Sequence, residues 1–362
     1  MFLAFGELMM RIAPAGHLRF AQVMPGSAEL TFAGAEANVC ASLALFGAEA
    51  RFVTALPRNP VADAAVSVLR GLGVDTSQVV RRDPGRLGIY FVEAGANQRG
   101  SNVVYDRDHS AISLATPEEY AFEKSLEGIR WVHVTGITPS LSENAFRSTL
   151  KLLQLARSRS LPVSCDLNFR KKLWRWRPGT EPRQLARECM TQVLRLVDLA
   201  IANEEDAADV LDIHAQGTSV EQGQINAQAY EDVARAMVGQ FGNLRRVAIT
   251  LRESVSADHN NWGAMLFDAQ ADGACFAPLD VVGNYRPYEI RNIVDRVGGG
   301  DAFGAGLIFA LNQPELADPH MALRFAVASS CLKHSILGDF NFVSKDEVLA
   351  LVKGAASGRV RR

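Results

Sequence analysis

Short apolar runs alternate with longer stretches of helical periodicity along nearly the whole chain. The extended runs are Phe2–Phe5, Ala50–Ala55, Trp131–Thr135, Pro162–Asp166, Leu199–Ala202 and Arg246–Thr250. Helical patterns follow several of them, at Glu36–Phe46, Val61–Leu72, Glu143–Arg159, Arg183–Val197 and Ala229–Gly239. Near-continuous apolar strands separated by helices predict an α/β fold, with a mostly parallel sheet covered on both faces. Ligands of such sheets bind beyond the carboxyl ends of the strands. Gly6-Glu7, Thr135-Gly136, Asp166-Leu167-Asn168 and Asn203-Glu204 all fall at predicted strand exits, so polar groups converge on one edge.

Two windows break the rhythm. Residues 12–32 and 86–112 alternate polar and apolar over strand lengths, which predicts a small antiparallel sheet inserted in the main domain. A lid over a substrate is the functional reading; a decorative excursion or dimer surface is the plain one. The expected division is a core of 1–11, 33–85 and 113–350, a β lid of 12–32 and 86–112, and a tail from 351 to 362. The polar, Gln-rich segment His214–Gln228 is expected to be a loop.

At 362 residues the chain has room for one large core with a subsidiary domain. A net charge of −2 gives no electrostatic case for nucleic acid or an anionic membrane as partner. No apolar run approaches the roughly 18 residues that span a bilayer. Met1–Met10 lacks a basic leader and reads as a first core strand rather than a signal peptide. Five scattered cysteines without a C-x-x-C pair predict reduced thiols in a cytoplasmic protein and no zinc.

The densest chemistry lies in Asp-Arg-Val-Gly-Gly-Gly-Asp-Ala-Phe-Gly-Ala-Gly, residues 295–306. An extended run, Tyr288–Val294, leads in, and a helical run of small residues, Ala302–Leu311, leads out. Glycines at a strand-to-helix junction leave backbone amides bare at the positive end of a helix, which makes an anion site. Close packing is the rival explanation, since Gly304, Ala305 and Gly306 suit a helix lying tight on a sheet. Asp301 shifts the balance, because a carboxylate beside bound phosphate is repulsive unless it has work such as taking a proton from an attacking hydroxyl.

The segment Asp-Arg-Val-Gly-Gly-Gly-Asp resembles the Asp-Thr-x-Gly-Ala-Gly-Asp signature of ribokinase-like, pfkB-type carbohydrate kinases. Ala33-Gly34-Ala35-Glu36-Ala37-Asn38, with Gly47 beyond it, is similar to the family's N-terminal Gly-Gly-x-x-x-Asn signature. Gly-Ala-Glu-Ala-Asn, Asp166-x-Asn168-x-Arg170-x-x-Leu173-Trp174, Tyr105-x-Arg107 and Gly338-Asp339-Phe340-Asn341 resemble the 2-keto-3-deoxygluconate kinases within it. The resemblance spans essentially the whole chain. It implies a three-layer α/β/α core with a small β lid and ATP-dependent phosphorylation of a sugar acid; fructokinase or another sugar kinase is the nearest alternative.

On that resemblance Asp301 is the base and Gly298, Gly299 and Gly300 form the anion hole. Gly34, Ala35, Glu36, Asn38, Tyr90, Tyr105, Arg107, Asn168, Arg170, Asp301 and Asp339 are expected to hold the substrate. Arg107 and Arg170 are the candidates for its carboxylate, since a guanidinium matches that geometry. Asn38 alone could equally cap its helix, and Tyr90 and Tyr105 could simply pack in strands. ATP is expected at Asn203, Thr250, Arg252, Gly298 and Gly300, with Mg2+ ordered by Asp206 through water. Asp206 stands where the family's Asn-x-x-Glu motif carries Glu, and a charged first helical turn is its plain reading. Thr250-Leu251-Arg252-Glu253 replaces a Gly-rich adenosine contact. Arg296 and Val297 replace small residues beside the glycines and alter a neighbouring monovalent-cation site, whose use stays open. An ionised Asp301, favoured by the helix N-terminus, is expected to be a weak base. The lid sheet also suits a homodimer.

Two other functions compete. The changes at Arg296, Val297 and Asp206 would suit a sugar-binding sensor that has lost catalysis, although Asp301 and the glycines are kept. A dinucleotide oxidoreductase is opposed by the spacing from Gly298-x-Gly300 to Gly304 and by the helical run Met321–Leu337 where a strand is needed. No Gly-x-x-x-x-Gly-Lys-Ser/Thr occurs, which disfavours a Walker-type NTPase.

Overall fold

A computed structural model, which describes residues 1–203, 205–214 and 227–354, turns the alternation into one nine-stranded sheet. Its path runs Gly273–Ala277, His259–Asp268, Arg246–Ser256, Leu199–Ala202, Val163–Asp166, Trp131–Thr135, Phe2–Phe5, Ala50–Val53, with Tyr288–Arg291 also pairing to His259–Asp268. The pairs from Ala50–Val53 across to Arg246–Ser256 are parallel, and the strands beyond turn antiparallel.

The parallel strands are apolar throughout because both faces are covered. Phe2 and Ala4 enter one hydrophobic cluster, Leu3 and Phe5 the other, as the period of two requires. Helices Ala35–Leu45, Gly299–Leu311 and Pro319–Lys333 build the first face; Glu143–Ser158, Pro182–Leu194 and Ala227–Gln240 build the second. On the first face Phe46, Phe309 and Phe325 meet with ring centroids 5.3–5.5 Å apart. Burying rings of this size stabilises by about 2–3 kcal/mol each. The small residues of helix Gly299–Leu311 divide their roles. Gly304 faces the sheet at Ile201, whereas a Cβ on Gly306 would lie 2.9 Å from Ala326 Cα, so Gly306 serves contact with a helix instead.

The lid is a four-stranded sheet in the order Glu29–Ala33, Met9–Ala13, Gly88–Glu93, Asn102–Asp106. It is antiparallel except for the parallel pair between Met9–Ala13 and Gly88–Glu93. Its first strand begins at Met9, inside the stretch assigned to the core by pattern. Met9, Tyr90 and Val92 are buried on its inner side, while Leu30 and Val104 are exposed.

Other boundaries also move. The run Ala50–Ala55 breaks at Thr54 into Ala50–Val53 and Ala55–Pro57, the latter pairing with Val80–Arg82. Of Tyr288–Val294, only Tyr288–Arg291 is strand. The small-residue helix starts at Gly299 rather than Ala302, and the next spans Pro319–Lys333 rather than Met321–Leu337. Most of the expected loop His214–Gln228, the tail beyond 354 and Glu204 lie outside the described residues. Among the described residues no helix is long and apolar enough to cross a membrane. The cysteines are free thiols, all buried but the half-buried Cys331.

Candidate active site

Between the carboxyl ends of the strands and the lid lies a cavity of about 350 Å³, a size that fits small-molecule sites. Gly34, Ala35, Asn38, Tyr90, Tyr105, Arg107, Asn168, Arg170 and Asp339 line it, and so do Asn203, Asp206, Thr250, Arg252, Gly298, Gly299, Gly300 and Asp301. Segments distant in sequence therefore meet in one space. Glu36 alone among the expected residues is not in the lining. Its Oε1 accepts hydrogen bonds from the Thr135 amide, Thr135 Oγ1 and Thr138 Oγ1, and it is 1 % exposed. Gly6 gives it room, since a Cβ there would lie 2.0 Å from its Oε2. Glu36 ties helix Ala35–Leu45 to the exit of Trp131–Thr135, a positioning role instead of a substrate contact.

The glycine turn takes a shape only glycine takes easily. Gly298 caps helix Gly299–Leu311 with φ of 86°, in the left-handed region. A Cβ there would also strike the Asp339 carbonyl oxygen at 2.3 Å. Among the described residues no side chain caps this helix end; the Gly299 amide donates to the Arg296 carbonyl at 3.3 Å, and the amides of Gly300 and Asp301 are left for an anion. Asp295 braces the turn from below, accepting from the Val297 amide at 3.0 Å and the Gly338 amide at 3.1 Å.

Asp301 lies in the first turn of that helix and faces the cavity. Asn38 Nδ2 donates to its Oδ2 at 2.6 Å, while Asn38 Oδ1 is buried without a partner among the described residues. Burial pushes the Asp301 carboxyl up to about 7, helped by the nearby Asp339 and Glu36 and opposed by Asn38 and Arg170. Contrary to expectation, the helix N-terminus does not keep it a weak base; removal from water outweighs the dipole. A base poised near neutrality is the better proton acceptor.

The lid is wired to the core by buried ion pairs. Arg11 binds Asp295 at 2.6 Å and Asp339 at 2.8 Å, and Tyr90 Oη donates to the same Asp339 oxygen at 2.6 Å. Asp339 is thus an anchor for the lid as well as part of the lining. Arg107 Nε and Nη2 reach Glu7 Oε2 at 2.6 and 2.5 Å, so its charge already has a counter-ion. Arg170 differs. Its Nη1 donates to the Phe169 carbonyl, and it forms no ion pair among the described residues.

Asp166 and Asp206 complete an acidic wall. Asp206 accepts from the Phe169 and Asn203 amides at 3.0 Å each, tying two strand exits together. Asn203 Oδ1 in turn accepts from the Glu205 and Asp206 amides, so its oxygen serves the helix start. Asp166 Oδ1 accepts the Asn168 amide at 3.1 Å, in a turn that puts Asn168 at φ of 39°. Burial raises Asp166 well above the usual carboxylate range, with Asp206 and Asp301 adding to the rise. Among the described residues no three His, Cys, Asp or Glu side chains converge to hold a metal ion by themselves.

At the other end the wall comes from the antiparallel strands. Asn260 and Trp262 line it beside Thr250 and Arg252, and Asn260 Oδ1 and Trp262 Nε1 are buried without partners among the described residues. Buried orphans are rare, and at a cavity they point to a ligand. His334 also lines this end, neutral because burial lowers it to about 4, with Nδ1 on the Ser330 carbonyl. Arg296 is committed to the Ser256 and Ala257 carbonyls. Pattern reading missed Asn260, Trp262, His334 and Arg11. Only Arg11, a lone charge within an apolar strand, carried a signal.

The profile of the pfkB family of carbohydrate kinases matches residues 1–339. The 2-dehydro-3-deoxygalactonokinase of Haloferax volcanii is 30% identical over 354 residues, 98% of this chain and 97% of that protein. The 2-dehydro-3-deoxygluconokinase of Thermoproteus tenax is 29% identical over 341 residues, 93% of this chain and 89% of that one. The crystal structure of 2-dehydro-3-deoxygluconokinase from Thermotoga maritima superimposes with a TM-score of 0.86 at 42% identity, covering 98% of this chain and 99% of that one.

Proposed function

The chain belongs to the pfkB family of carbohydrate kinases, and we propose that it phosphorylates 2-keto-3-deoxygluconate (2-dehydro-3-deoxygluconate) with ATP, giving the 6-phosphate. One observation carries the assignment of roles. Asp301 lies between an orphaned amide oxygen, Asn38 Oδ1, and the uncapped helix end at Gly298–Gly300. Asn38 orients the sugar hydroxyl toward Asp301, which accepts its proton. The amides of Gly300 and Asp301 stabilise charge on the transferring phosphoryl group. Asn260 and Trp262 turn their unpartnered atoms toward the nucleotide.

The sugar's carboxylate goes to Arg170, a cation of the lining that forms no ion pair among the described residues, with Arg107 as the second candidate. Mg2+ fits the acidic wall, because it keeps several waters and needs only one or two carboxylates besides phosphate oxygens. Asp166 is its holder, bonded to a single amide, whereas both Asp206 oxygens are taken. The ion would neutralise the phosphates. Tyr90 and Arg11 seat the lid over the sugar and keep water from the phosphoryl group.

ADP release measured with 2-keto-3-deoxygluconate, its galacto epimer and fructose tests the reading. We expect kcat/KM for a keto-deoxy acid to exceed that for fructose by about 100-fold, the value of one charge-assisted pair. Equal use of fructose would refute the sugar-acid assignment. ATP hydrolysis that no sugar accelerates would instead favour a sensor.

A further inference from the structure

Lys333 is at 0 % exposure, and nothing in the reaction described above uses it. It ends helix Pro319–Lys333, and its Nζ donates to the Ile336 carbonyl at 3.0 Å. Among the described residues it forms no ion pair, although Asp295, Asp339 and Asp301 all act on its charge. Burying an ammonium without a direct counter-ion costs several kcal/mol. Burial pulls the Lys333 ammonium below its ordinary value, and Asp295, Asp339 and Asp301 act against that fall.

The point lies under the glycine turn. A Cβ on Gly298 would lie 3.3 Å from Lys333 Cε and 2.3 Å from the Asp339 carbonyl oxygen. The lysine stem and the Asp339 backbone thus floor the turn whose amides face the cavity. The Ile336 carbonyl accepts from the ammonium, and the Asp295 and Asp339 carboxylates act on it from beyond ion-pair distance; these are hard oxygens of the kind that hold a metal cation. Arg11, from the lid strand, binds one oxygen of each carboxylate, Asp295 Oδ2 and Asp339 Oδ1. A plain helix-end lysine would bond the last helical carbonyls, whereas Nζ bonds a residue beyond the helix.

We propose that the Lys333 ammonium is a built-in cation beneath the phosphate turn, filling an oxygen-lined recess that would otherwise suit an alkali ion. Phosphoryl transfer by this chain then needs no monovalent cation from solution. The charge acts through the turn, in surroundings of low dielectric where it is felt strongly, so Lys333 is a positioning residue. This inference rests on assigning the turn to ATP phosphates, and ATP binding without sugar tests it apart from the sugar-acid reading.

The wild-type protein is dialysed into tetramethylammonium chloride, whose cation is too large for the recess. ATP affinity by calorimetry and turnover with 2-keto-3-deoxygluconate are then followed as KCl or NH4Cl replaces it at constant ionic strength. Both are expected to change less than twofold. Lys333→Ala is expected to weaken ATP binding and lower kcat at least tenfold, with ammonium or potassium restoring fivefold or more. Lys333→Met, which fills the recess with an apolar stem, is expected to be impaired and not rescued. Tenfold activation of the wild type by potassium would overturn the proposal, and this arm decides alone if the variants do not fold. A folded Lys333→Ala that retains activity, or that loses it and responds to no cation, would overturn it as well. A wild type that binds ATP but phosphorylates none of the sugars would count against the sugar-acid reading only.

Discussion

In the half of the cavity assigned to the sugar, most charged groups are paired before any ligand arrives: Arg107 with Glu7, Arg11 with Asp295 and Asp339, Asp301 with Asn38. In the half assigned to the nucleotide, Asn260 Oδ1 and Trp262 Nε1 are buried without partners among the described residues, and no side chain of those residues caps the helix end at Gly298. One side is a preorganised frame that fixes where a hydroxyl meets its base. The other is a set of unsatisfied groups that a ligand completes. Preorganisation belongs where geometry sets the rate, and tolerance of a bare site belongs where a large anion supplies its own binding energy.

The largest effect should come from the residue shared by both halves. Asp301→Asn is expected to lower kcat by about 10³-fold, the scale of general-base catalysis, while KM values for sugar and ATP change little. The same variant should be more heat-stable. Because burial raises the folded-state carboxyl to about 7 from 3.8, the folded protein holds this proton more tightly than the unfolded chain. The resulting stability is present below the unfolded value and lost as pH rises through about 7. Asp301→Asn should therefore raise Tm more at pH 8 than at pH 5, measured by calorimetry.

Breaking the frame itself comes next. Arg11→Met leaves Asp295 and Asp339 buried without their counter-ion, and should destabilise by about 3–5 kcal/mol in urea unfolding. Arg170→Met removes the cation reserved for the substrate and should raise KM for the sugar acid by about 100-fold, leaving KM for ATP near normal. The smallest effect is expected on the unsatisfied side. Trp262→Phe deletes one donor and should raise KM for ATP by about fivefold, the value of a single neutral hydrogen bond. If that change moved the sugar's KM instead, the division of the cavity would be wrong.

The parts legible in the sequence were those whose chemistry requires fixed local spacing. Gly298 to Asp301 must be contiguous to make a turn, an amide cradle and a base, and Gly34 to Asn38 likewise form one helix start. The nucleotide wall was not legible, because Asn260 and Trp262 come from the antiparallel strand His259–Asp268, which the pattern did not reveal. That strand lies inside the sheet, between Arg246–Ser256 and Gly273–Ala277, but its polar start, His259-Asn260-Asn261, interrupts the apolar run that marks a core strand. Glu36 was misplaced for a related reason: its motif neighbours line the cavity, but the helix turns its carboxylate toward Thr135 and Thr138. The ionisation of Asp301 escaped as well, since local sequence reports the helix dipole and not the depth of burial.

The pH dependence of kcat/KM for the sugar acid bears most directly on Asp301 as the base that joins the two halves. With its carboxyl near 7, log kcat/KM should climb with unit slope from pH 5, bend near pH 7 and level off above. That limb should vanish in Asp301→Asn. A wild-type profile flat from pH 5 to pH 7 would contradict the account.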